Sequence, residues 1–135
     1  MDIIKLTRDL GRAIQQDERY LKYRIASQNN DEDETLQNMI GAFNLTRMNL
    51  NTEIQKGEPD ERKVEELNKK VRELYKSIMV NPNMATYNEA KQDFDQLIKR
   101  ITTIILQSAN GEDPETTDLR ETSCTGSCET CLGCN

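Results

Sequence analysis

Four cysteines within eleven residues carry the strongest chemical signal in the sequence: Cys124, Cys128, Cys131 and Cys134, spaced C-x3-C-x2-C-x2-C. Four bare thiolates do not sit together, because mutual repulsion raises their pKa values. A metal removes that cost and keeps them deprotonated. Two-residue gaps are the usual step of both iron–sulfur and zinc sites. Gly126 and Gly133, placed between the thiols, let the backbone wrap closely round an ion or cluster. The chain has no His, so the expected centre is all-sulfur, with the four cysteines as its joint ligands. An iron–sulfur cluster of the 4Fe–4S type is the first expectation and Zn²⁺ the second. No second C-x2-C pair lies a dozen or more residues away, which argues against a standard zinc ribbon. A disulfide or a redox thiol pair comes third. Met1-Asp2-Ile3-Ile4-Lys5 is not a charged-then-apolar leader, so a cytoplasmic location is expected, where disulfides are rare.

What is missing narrows the chemistry further. Without His there is no Ser-His or Cys-His catalysis, no histidine general base and no histidine metal ligand. Glycines number six, and neither GxGxxG nor GxxxxGK followed by Ser or Thr occurs, so a standard nucleotide site is not expected. No catalytic residue is assigned, and the protein is expected not to be an enzyme. No run of about 18 apolar residues is present, so no membrane span is expected. The net charge of −6 is concentrated at one end. Residues 110–135 hold six acids against Arg120 alone, while the rest carries 17 bases and 18 acids. A near-neutral body with an acidic tail is a poor phosphate-backbone binder, so no direct nucleic-acid contact is expected.

The elements that must position the cysteines precede them. Hydrophobic residues make up 35% of the 135 residues and aromatics 4%, with no Trp. That thin, aliphatic supply suits an all-α fold better than a β-sandwich. Ile3, Ile4, Leu6, Leu10, Ala13 and Ile14 recur at helical spacing over Asp2–Gln16. Asp17 is a short acid before helix formers and predicts a break there. A second helix, burying Tyr20, Leu21, Ile25 and either Tyr23 or the stem of Arg24, is expected to stop at Gln28-Asn29-Asn30. The acid run Asp31–Glu34 reads as the start of a third helix carrying Leu36, Met39, Ile40, Phe43, Met48, Leu50 and Ile54. Gly57 and Pro59 place a tight turn, with Pro at the next helix start. The fourth helix has the cleanest pattern: Val64, Leu67, Val71, Leu74 and Ile78 step by three and four, a heptad seam. Asn81-Pro82 ends it. The fifth, from about Asn83 to Gln107, has a seam of Tyr87, Ala90, Phe94, Leu97, Ile101 and Ile104, widened by Ile98, Ile105 and Leu106. That width predicts contact with a second subunit or partner. The expectation is an antiparallel helical bundle of about five helices with a long hairpin, followed by a flexible cysteine tail.

Leu10-Gly11-Arg12-Ala13-Ile14, Asp17 and Tyr20, then the long hairpin, then Asn81-Pro82 followed by Tyr87, Ala90, Phe94 and Leu97, together resemble the YlbF/YmcA family of small bacterial helical proteins. The likeness covers about residues 2–107. It implies an all-α regulatory protein that associates with itself or with relatives. It also implies action with protein partners on RNase Y, and through it on mRNA processing, competence, sporulation and biofilm formation. The same systems are linked to 4Fe–4S clusters. This chain departs in packing four cysteines into one polypeptide, where a shared cluster could draw ligands from several. The C-x3-C-x2-C triplet also resembles the cluster loop of radical enzymes, but no barrel pattern surrounds it.

The domain reading is a helical body over residues 1–109, an acidic linker over 110–123, and a cysteine-rich metal- or cluster-binding tail over 124–135. The functional expectation is a cytoplasmic regulatory adaptor, homodimeric or hetero-oligomeric, whose tail senses iron or redox state. The alternatives are a zinc-binding structural module and a small electron carrier.

Overall fold

A computed structural model describes residues 1–119. Among them are five helices and no strand: α1 (Ile3–Gln16), α2 (Glu18–Glu32), α3 (Glu34–Ile54), α4 (Glu61–Met79) and α5 (Pro82–Ala109). The all-α expectation holds. The chain divides into two compact units, Met1–Phe94 and a second beginning at Asp95, with the division inside α5.

Short acids set the helix breaks. Asp17 ends α1 and starts α2, its carboxylate accepting from the Arg19 backbone N–H at 2.8 Å. An N-cap oxygen of this kind satisfies one of the orphan donors of the first turn. Asp33 repeats the device between α2 and α3, accepting from Leu36 N at 3.0 Å. The second break therefore falls three residues later than Asn30. Asn29 and Asn30 stay helical, their carbonyls accepting from Asp33 N, and Asp31 and Glu32 close α2 rather than opening α3. Asp60 caps α4 by accepting from Arg62 N and Lys63 N. Pro59 thus lies two residues before the first helical position, not in it. Asn81 accepts from Met84 N at 3.1 Å and Pro82 opens α5, where a missing N–H costs nothing.

The first unit holds its helices through two aromatic groups and one hairpin. α3 and α4 make the most extensive pairing. Leu36 is fully buried and Ile78 nearly so, and Val64, Leu67, Val71 and Leu74 line up half-buried along the heptad. Phe43 meets Tyr75 at 6.2 Å, and the Arg47 guanidinium sits 5.6 Å over the Phe43 ring. Tyr23 stacks on Phe94 at 5.5 Å and also meets Tyr87, while Tyr20 tilts against Phe94 at 5.9 Å. All six aromatics are thereby paired. The inward face of α2 is Tyr20, Tyr23, Ala26 and Asn30, whereas Leu21 and Ile25 are exposed, against expectation. Planar rings at three-residue steps reach the α5 rings, and this turns the two aliphatic residues outward.

Candidate functional site

Cys124, Cys128, Cys131 and Cys134 lie outside the described residues. Their donor chemistry is that of the sequence: four sulfurs in eleven residues and no competing His, a set that fits an iron–sulfur cluster or Zn²⁺. Among the described residues, no group of three or more His, Cys, Asp or Glu side chains could hold a metal.

The structure does show how the chain approaches the cysteines. α5 ends in a Schellman motif. Gly111 takes φ 93°, Glu112 N donates to Gln107 O at 3.0 Å, and Gly111 N donates to Ser108 O at 3.1 Å. Only glycine takes that left-handed position freely. Asp113 then builds a tight turn. Its carbonyl accepts from Thr116 N and Thr117 N, and its carboxylate from Glu115 N. Thr117 Oγ1 donates to Gln107 Oε1. Arg100 grips Asp118 in a fork, with Nε–Oδ1 at 2.8 Å and Nη2–Oδ2 at 2.6 Å. The guanidinium, with help from Leu119 N–H, holds the Asp118 carboxyl below the usual range. Arg100 and Gln107 are seven residues apart and share one face of α5. Within the acidic linker 110–123, residues 112–119 thus run back along the helix they leave.

A second set of polar groups joins α2, α3 and α5 in the first unit. Asp33 Oδ2 accepts from Asn83 Nδ2 at 2.9 Å and from Asn81 Nδ2 at 3.3 Å, while Oδ1 caps α3. The backbone N–H of Leu36, followed by the Asn83 amide, lowers the Asp33 pKa. Asn30, 7% exposed, donates to Met84 Sδ at 3.6 Å, and its Oδ1 has no partner. At the hairpin turn, Glu53 is 6% exposed and accepts from Lys56 Nζ at 2.7 Å and Asp60 N at 3.1 Å. The sequence reading missed these joints and the Arg100–Asp118 fork. A charged residue on a helix face reads as solvated until the turn that folds a partner onto it is known.

The third feature is apolar. Ile3, Ile4 and Leu6 are 73%, 61% and 50% exposed, and no residue of α1 is buried. Ile105 and Leu106 near the end of α5 are exposed as well. No described helix is long and apolar enough to cross a membrane.

A long helical hairpin, acid-capped helices and exposed apolar residues on α1 and α5 make up a small all-helical protein. The family model described as control of the competence regulator ComK, YlbF/YmcA, matches residues 3–109, and the chain belongs to that family. The match supports the resemblance drawn from the Leu10–Ile14, Asp17, Tyr20 and Asn81-Pro82 pattern. No curated protein and no solved structure matches the chain.

Proposed function

We propose that this protein is a non-enzymatic cytoplasmic adaptor of competence-type regulation, which works by binding other proteins and carries a metal centre on its tail. The observation that supports this most is the uncovered ridge of α1. Ile3, Ile4 and Leu6 line a helix whose other face carries Lys5, Arg8 and Arg12. An apolar face of this kind on a regulator is where another chain docks. The partner is a second copy or a family relative, in a homodimer or hetero-oligomer. The process served is RNase Y-dependent mRNA processing, with competence, sporulation and biofilm formation downstream.

In this reading Cys124, Cys128, Cys131 and Cys134 together ligate one 4Fe–4S cluster, and the cluster supplies sensitivity to iron or redox state. The support is four thiols at cluster spacing in a chain without His. Zn²⁺ in the same ligands, giving a structural module, is the alternative; an electron carrier is the third reading.

Anaerobic purification of the full chain, with iron, sulfide and zinc analysis, tests the tail. A brown protein holding iron and sulfide supports the cluster. A colourless one holding zinc moves the assignment to the structural module, and binding of neither overturns the metal reading. Light scattering at micromolar concentration, alone and with a family relative, tests the adaptor. A monomer in both conditions overturns it.

A further inference from the structure

Four closely spaced cysteines do not say how the chain approaches them, but the described residues 110–119 do. We infer that residues 112–119 form a clasped strap, closed by Arg100 and Asp118, which fixes the base of the cysteine segment against the Arg100–Gln107 face of α5. The inference deepens the proposed function, because it makes the tail a positioned part rather than an appendage. It does not depend on which metal the cysteines hold.

Three contacts on eight residues carry it. The Schellman turn at Gly111 reverses the chain, Thr117 bonds Gln107 about one turn before it, and Asp118 receives the Arg100 fork. Burial along the helix follows the same line. Thr103, Ile104, Gln107 and Ser108 are half-buried and so is Leu119, whereas Ile105 and Leu106 are exposed. The strap side of α5 is therefore shielded and the other side is open.

The geometric consequence is confinement. From Gly111, thirteen residues lead to Cys124, and a free chain of that length reaches at most ~45 Å. From Leu119 only five residues remain, a reach of about 17 Å. The clasp cuts the accessible volume for the first thiol by roughly twentyfold and raises the effective concentration of the cysteine segment near α5 accordingly. Arg100 and Asp118 are positioning residues in this scheme.

The chain offers a direct probe, because the peptide bond after Arg120 is a tryptic site one residue beyond the strap. The full-length protein, reduced and treated with chelator, is digested with limiting trypsin, and release of residues 121–135 is timed by mass spectrometry. Asp118→Asn and Arg100→Gln should each speed release about fivefold, since cleavage next to a clasped segment awaits its opening. Asp118→Glu, which keeps the carboxylate and adds no tryptic site, should stay near the wild-type rate. In ¹⁵N relaxation, residues 113–118 should match α5 in order in the wild type and lose that order in Arg100→Gln, with helicity unchanged. Equal release rates in all four proteins, or mobile amides at 113–118 in the wild type, overturn the strap. Metal analysis of the same samples judges the cluster separately, so the two readings fail in different measurements.

Discussion

The α3–α4 hairpin closes its own apolar face, and α1 leaves its face open. Both carry apolar residues stepping by three and four: Val64, Leu67, Val71, Leu74 and Ile78 in one, Ile3, Leu6, Leu10 and Ala13 in the other. The hairpin's short turn, clamped by Glu53 onto Lys56 and Asp60, brings a second stripe against the first. α1 meets only α2 to any extent among the described helices, and it leaves Ile3, Ile4 and Leu6 exposed while Leu10 and Ile14 are half-buried. A heptad pattern thus establishes that a face exists. The connection beside it decides whether the chain itself covers that face or leaves it for another molecule.

The comparison breaks first at Leu36. It is the one large side chain buried completely among the described residues, so Leu36→Ala should cost about 3 kcal/mol, from lost burial and the cavity left behind. Urea denaturation of the full chain measures it. A loss below about 1 kcal/mol would mean the hairpin is not the stable half. The converse test is α1. Replacing Ile3 and Leu6 together by Lys should leave the unfolding midpoint within error while weakening self- or partner association by roughly 30- to 1,000-fold, since each carries about 1–2 kcal/mol of burial on docking. Sedimentation velocity reads the second effect. Unchanged association would remove α1 from the interface.

Glu53→Ala comes next. The carboxylate is held low chiefly by the Lys56 ammonium and then by the Asp60 backbone N–H. Its removal leaves that N–H without its acceptor and should lower the melting temperature, whereas Glu58→Ala, on the exposed side of the same turn, should not. The smallest effect is at Asp17, whose pKa is lowered to about 2 by the Arg19 side chain and then the Arg19 backbone N–H. A carboxyl lowered by folding stabilises fully above its ordinary pKa of 3.8 and stops doing so as pH falls through the folded value. Between about pH 4 and 2 the wild type should therefore lose stability that Asp17→Asn never had, and the two acid-titration curves should converge there.

Much of the fold was legible in the sequence, because helix breaks depend on local chemistry. Asp17 and Asn81-Pro82 needed no knowledge of the rest of the chain. The break at Asn30 was misplaced because amide side chains weaken a helix without ending it, while Asp33, three residues on, offers a true cap oxygen. Tyr20 faces inward as its spacing predicts, but Leu21 and Ile25 do not, because the rings of Tyr20 and Tyr23 meet those of Tyr87 and Phe94 and take that face. The site was legible only as a ligand set, in the four cysteines. The Arg100–Asp118 fork, eighteen residues apart, was not legible at all, because no periodic pattern encodes a pairing made by a chain reversal.

The pairing of every aromatic ring within the first unit has an optical consequence. The chain has no Trp, and residues 95–135 contain no Tyr or Phe, so the aromatic part of the near-ultraviolet signal arises wholly from residues 20–94. Tyr23, stacked on Phe94 and beside Tyr87, reports on α2–α5 packing through its dichroism. A visible band, as the proposed iron–sulfur centre would give, would lie at wavelengths where no aromatic ring absorbs. Added iron and sulfide could then be followed by visible absorption and the helices by far-ultraviolet dichroism in one sample, without labels.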